Sequence, residues 1–241
     1  REEGLLLAGC SGGARVECRL ETGVEERQGT SLEIVIGGLQ GRHSGEEIHR
    51  ERGNSNSLFG RLLYRLAGKG AVCLADARGG LAANAISRET RAVLVVDDKD
   101  EPMLRETVRA CEEEWKEEFA VRDPEVYIKT EKLCRGTFSC MNESDTRRTA
   151  ALLAALTGGV QGMSQVFPGV VETSLNMGVM NYEKGLLRVM FALRSSVESA
   201  KHALADRVCA LAELAGGSCT ITNDYPGWQY CEDSPLREKM V

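Results

Sequence analysis

The chain has 241 residues, 42% hydrophobic and 27% charged, which is enough apolar material for one large core or two smaller ones. Its net charge of -6 disfavours nucleic-acid backbones and anionic membranes as partners. No apolar run approaches the roughly 20 residues of a spanning helix, and the first residues lack the basic, apolar and small-residue sections of a leader, so a cytoplasmic protein is expected.

The chain starts at Arg1, without methionine, and passes through Glu2-Glu3-Gly4 into the apolar run Leu5 to Ala8, which reads as a piece of a larger fold. Period-two alternation and β-branched content then predict strands over 13–20, 31–38, 71–78, 91–97, 126–132, 170–180, 185–195 and 218–223. Helical periodicity predicts helices over 54–67, 101–119, 145–156 and 197–214. In the first, Leu58, Leu62, Leu63 and Leu66 share a face; in the second, Leu104, Val108, Cys111, Trp115 and Phe119 do. Gly158-Gly159 and Gly216-Gly217 follow the last two helices where left-handed caps occur. Near the end, Ser234 reads as a helix cap with Pro235 at the first helical position.

Strand pairs separated by helices point to an α+β fold, an antiparallel sheet with helices packed on one face. The order is compatible with two ferredoxin-like βαββαβ halves, one from residue 31 through the helix and strand after residue 97, the other over 170–223. The nine cysteines are odd in number and lie mostly in apolar runs such as Val72-Cys73-Leu74, so they read as reduced thiols rather than a disulfide framework. No CxxC pair occurs, and Cys134 with Cys140 lacks the second pair a zinc knuckle needs.

Two of the three histidines, His43 and His49, sit in or beside a turn holding Gly37, Gly38, Gly41 and Gly45. Such glycines permit positive φ and close approach, so His43 can be presented to a ligand; the plainer alternative is a loop histidine bonded to backbone. Asn84, in a small-residue segment bounded by glycine, can both donate and accept, or simply shape a turn. Arg194 ends an apolar strand, where a guanidinium can clamp a carboxylate or make a surface ion pair. His49 reads as structural, and His202, beside Lys201 on an exposed helical face, is given no role. Glu46 and Glu47, near Arg42 and Arg50, read as solvated loop charges rather than a catalytic pair, and Glu112-Glu113-Glu114 as a helix's solvent face.

The run Gly41-Arg42-His43-Ser44-Gly45-Glu46-Glu47-Ile48-His49, followed by Arg52-Gly53-Asn54-Ser55-Asn56, resembles the lid-domain signature of aminoacyl-histidine dipeptidases, carnosinase-like two-zinc metallopeptidases. Further stretches match in order: Glu2-Glu3-Gly4 with Gly9-Cys10-Ser11-Gly12-Gly13, then Gly79 to Glu89, then Val171 to Asn176 with Leu193 to Ser196, and Tyr225-Pro226-Gly227-Trp228. Two departures stand out, Ser87 where the family has proline and Arg42 where it commonly has glycine.

The resemblance implies a lid or dimerisation domain over 14–223, with stubs of a catalytic domain at 1–13 and 224–241. It implies a parent enzyme that hydrolyses Xaa-His dipeptides with two zinc ions, acting as a homodimer, with the ligands supplied outside this stretch. The chain alone is then expected to bind no metal and to be inactive. The resemblance gives His43 the role of oxyanion donor and Asn84 and Arg194 that of holding substrate. Rival readings are the lid of another two-metal peptidase or deacylase, and a self-contained α+β dimerisation or binding module.

Overall fold

Alternating apolar residues along the strands build one antiparallel sheet, and the apolar faces of four helices cover one side of it. The computed structural model describes residues 9–70, 72–228, 230–231 and 233–240. The expectations for Glu2 to Ala8 lie outside the described residues, as does position 71 at the start of the strand expected over 71–78. In chain order the elements are β1 (Gly12–Glu21), β2 (Val24–Gly37), β3 (Arg42–His43), α1 (Ser44–Glu47), a single 3₁₀ turn (Ile48–Arg50), α2 (Ser55–Lys69), β4 (Val72–Gly79), β5 (Ala85–Ile86) and β6 (Thr90–Val96). There follow α3 (Glu101–Glu118), β7 (Tyr127–Met141), α4 (Glu143–Ala155), β8 (Gly159–Met163), β9 (Val171–Glu183), β10 (Leu186–Ser195), α5 (Glu198–Leu214), β11 (Ser218–Tyr225) and α6 (Pro235–Met240).

The main sheet runs β11-β1-β10-β9-β4-β6-β2-β7, with β8 paired to β9 beside β4, and β3 pairs with β5 in a separate ribbon. Two ferredoxin-like units lie side by side in it. The first is β2-α2-β4-β6-α3-β7, in strand order β4-β6-β2-β7. The second is not confined to 170–223 as its pattern suggested. It takes β1 as its first strand and continues with α4, β9, β10, α5 and β11, in order β9-β10-β1-β11, so the first unit is inserted between its first strand and its first helix. The units join where Ala77, Arg78 and Gly79 of β4 pair with Tyr182, Asn181 and Met180 of β9.

The core lies between the sheet and the helices: Leu58, Leu62, Leu63, Leu66, Leu104, Val108, Trp115, Leu153 and Val208 pack on Val16, Ile34, Leu94, Met177 and Phe191. Burying such side chains stabilises by about 1.5–3 kcal/mol each. A small cluster of Cys73, Val95 and Cys140 lies apart from this core, on strand positions that alternate with core residues.

Two strands exceed their expected spans by seven residues or more. The segment 126–132 extends to Met141, and β2 begins at Val24 rather than at 31. Their added segments pair with each other, Val24 opposite Met141 and Gln28 opposite Thr137. They are largely exposed, so no burial pattern imprints alternation on their sequence. Among the caps, Asn54 accepts from the backbone N–H groups of Asn56 and Ser57, and Gly216 at φ 77° ends α5 as expected.

Candidate functional site

The ends of β4, β9 and β10 converge with the ribbon β3-β5 near the join between the two units. Gly38 and Gly41 adopt φ values of 77° and 64° and turn the chain out of β2, so that the ribbon pairs His43 with Ala85. There His43 is half-buried, and its Nε2 lies 3.2 Å from Asn84 Nδ2. Its Nδ1 is buried and has no hydrogen-bond partner among the described residues. The Asn84 carbonyl accepts from the Ser44 amide at 2.8 Å and from the Ser44 hydroxyl at 3.0 Å, which fixes the two loops to each other.

Arg194 approaches the same loop from β10. A Cβ built on Gly45 would lie 2.6 Å from the guanidinium carbon of Arg194, so the bare glycine is what lets the planar cation lie against this turn. Among the described residues no carboxylate pairs with Arg194. All three residues singled out in the sequence therefore meet around residues 43–45.

Asn176, quoted in the sequence only as part of a strand motif, holds this arrangement from below. It is buried on β9, and its amide donates to the Ala83 carbonyl at 2.7 Å and the Ala85 carbonyl at 2.9 Å, on either side of Asn84. Asn54 donates to Asn176 Oδ1 at 3.3 Å and to the Met177 carbonyl at 3.0 Å. A signal for Asn176 existed in the chain: an amide at a core position between Leu175 and Met177 needs a fixed polar partner.

Glu47 is not a solvated charge, because it pairs with the largely buried Arg52, which also donates to the Gly41 carbonyl at 2.9 Å. Glu46 is exposed, as expected. His49 lies exposed on the 3₁₀ turn. His202 Nε2 stands 3.2 Å from Glu198 and 3.7 Å from Asp224.

These last three residues form the one group among the described residues with the donor chemistry of a metal site. Both carboxylates are already engaged by the buried Lys201 ammonium, at 2.8 Å from Glu198 and 2.5 Å from Asp224. Burial pulls the Lys201 ammonium down, and the hydrogen bonds of Asp224 and Glu198 outweigh it, leaving the group above the usual lysine range. A lysine cation at the centre of this group does not fit a divalent metal.

No family model matches the chain. A cytosol non-specific dipeptidase of Escherichia coli (strain K12) is 32% identical over 238 residues, covering 98% of this chain and 49% of that protein. The crystal structure of an aminoacylhistidine dipeptidase from Vibrio alginolyticus superposes with a TM-score of 0.90 at 31% identity, over 96% of this chain and 47% of the other. The chain is thus related to the aminoacyl-histidine dipeptidases. It spans about half the length of the relatives it matches. The α+β architecture expected from the sequence is the one observed, and it is shared with a dipeptidase of known structure. Among the described residues no helix is long and apolar enough to cross a membrane.

Proposed function

We propose that this chain is the substrate-capping lid of a cytosolic, zinc-dependent dipeptidase, with His43, Asn84 and Arg194 facing the substrate. The observation that carries this reading is their convergence: the His43 imidazole 3.2 Å from the Asn84 amide, with the Arg194 guanidinium on the Gly45 turn. A planar cation with no carboxylate partner among the described residues suits the C-terminal carboxylate of a dipeptide, and an amide suits its peptide group. The imidazole supplies a donor for the carbonyl oxygen as it gains negative charge. Such a donor matters more in the transition state than in the ground state, so its loss falls on kcat.

The two similar proteins bear different names, one a non-specific dipeptidase and one an aminoacylhistidine dipeptidase. We favour Xaa-His dipeptides as substrates, on the motif resemblance. Zinc, a homodimeric state and the inactivity of this stretch by itself belong to the same proposal.

The test is the His43→Ala variant of the full-length enzyme, assayed on a panel of Xaa-His and other dipeptides. A kcat lower by about 100- to 1000-fold, with KM changed far less, is the expected result. Turnover within twofold of the wild type would remove His43 from the mechanism. Zinc-dependent peptidase activity in residues 1–241 alone would overturn the assignment as a lid.

A further inference from the structure

We infer that Cys18 and Cys219 are a reversible oxidation site, closing to a cross-strand disulfide that ties the edge strand β11 to β1. The two residues stand directly opposite each other in the antiparallel β1-β11 register. Opposed residues in such a pair have Cα atoms about 4.5–5.5 Å apart, inside the range of about 4.4–6.8 Å that a disulfide spans. Their sulfur atoms already touch, at 2.9 Å, so no backbone movement is needed to bring them into reach. Both are free thiols in this structure.

Exposure sets the order of events. Cys18 is buried, whereas Cys219 is half-buried on a strand that is otherwise largely exposed, so a small oxidant meets Cys219 first. With a peroxide, the Cys219 sulfur takes one oxygen and becomes a sulfenic acid, and the peroxide is reduced to water. The Cys18 sulfur then attacks the Cys219 sulfur, the S–S bond forms, the S–O bond breaks, and the oxygen leaves as a second water carrying the thiol proton. A dithiol reductant returns the two hydrogens and is itself oxidised to a disulfide.

A third thiol, Cys209 on α5, is half-buried near this pair, and burial pushes it up to about 11. The hydrogen bond with Cys18, followed by burial, pushes the Cys219 thiol up as well. Thiols raised in this way offer little thiolate, so Cys219 is expected to react slowly and only with an added oxidant.

The closed bond would join residues 201 positions apart, across nearly the whole chain. It constrains the unfolded ensemble strongly, and it holds the outermost strand, which otherwise pairs with β1 alone.

The experiment treats the folded intact protein with hydrogen peroxide or diamide, blocks the remaining thiols, and maps peptides by tandem mass spectrometry without reduction. The expected product is a Cys18–Cys219 linked peptide that dithiothreitol abolishes, with a Tm higher by about 5–10 °C before reduction. Cys18→Ser and Cys219→Ser each lose both effects, while Cys209→Ser keeps them. The wild-type map decides the matter even if a serine variant fails to fold. Oxidation of the exposed Cys10 or Cys134 with no Cys18–Cys219 link, or a predominant Cys209–Cys219 link, would overturn the proposal.

Discussion

Arg42 carries a φ of 106°, a backbone region that L side chains seldom adopt and glycine adopts freely. The departure from glycine noted in the sequence therefore has a physical cost at the residue beside the candidate oxyanion donor. Holding a non-glycine residue there costs on the order of 1–3 kcal/mol. Arg42→Gly is expected to raise stability by about 1 kcal/mol, less than the strain because glycine also loosens the unfolded chain, and urea denaturation reads it directly. A fall in stability would mean that the exposed Arg42 side chain contributes more than its backbone costs. The second departure behaves differently. Ser87, in place of proline, is buried, and its hydroxyl meets that of Ser55 at 2.6 Å, while Thr90 donates to Ser55 at 2.8 Å. A hydrogen-bonded hydroxyl chain holds the turn where a ring would have stiffened it.

At the scale of elements, the strand β9 positions the site through one amide. Asn176 serves the carbonyls of Ala83 and Ala85, and so ties β5 and the Asn84 turn to the sheet. Asn176→Ala leaves those carbonyls without their donors at a buried position, which costs about 2 kcal/mol. A lower Tm is expected, together with reduced kcat in the full-length enzyme, because Asn84 and His43 lose their support. Unchanged kinetics beside a lower Tm would confine Asn176 to structure.

The amphipathic helices were legible because burial imposes a 3.6-residue period on α2 and α3, whereas residue type alone left His43 and Asn84 open to plain loop roles and only the motif resemblance singled them out. The added halves of β2 and β7 were not, because exposed edge segments record no face. Asn176 was quoted yet given no task, since a buried amide declares its partners only when distant loops are folded onto it.

For the whole molecule, the closing contact is the buried Lys201 of α5, which joins Glu198, Asp224 and the Tyr225 carbonyl at the end of β11. The hydrogen bond of Lys201 holds the Asp224 carboxyl below its usual range. A carboxyl depressed in the folded state contributes stability that is present above its unfolded pKa and lost as pH falls through the lower folded value. Urea midpoints measured from neutral pH down to about pH 3 should therefore decline on the acid side, and Lys201→Met should flatten that decline. An equally steep acid limb in the variant would assign it to other carboxylates. The pairing of β1 with β10 and β11, by contrast, left no trace in local sequence, because its partners lie 165 or more positions away.

That split arrangement bears on how the chain assembles. The inserted unit, from β2 to β7, contains all of its own strands and can condense as soon as residue 141 is available. β1, made first, must wait with its apolar Val16, Cys18 and Leu20 unsatisfied until β10 and β11 arrive. Long-range closure of this kind is slow, so refolding is expected in two kinetic phases, an early one for the insert and a late one that zips the first strand into place.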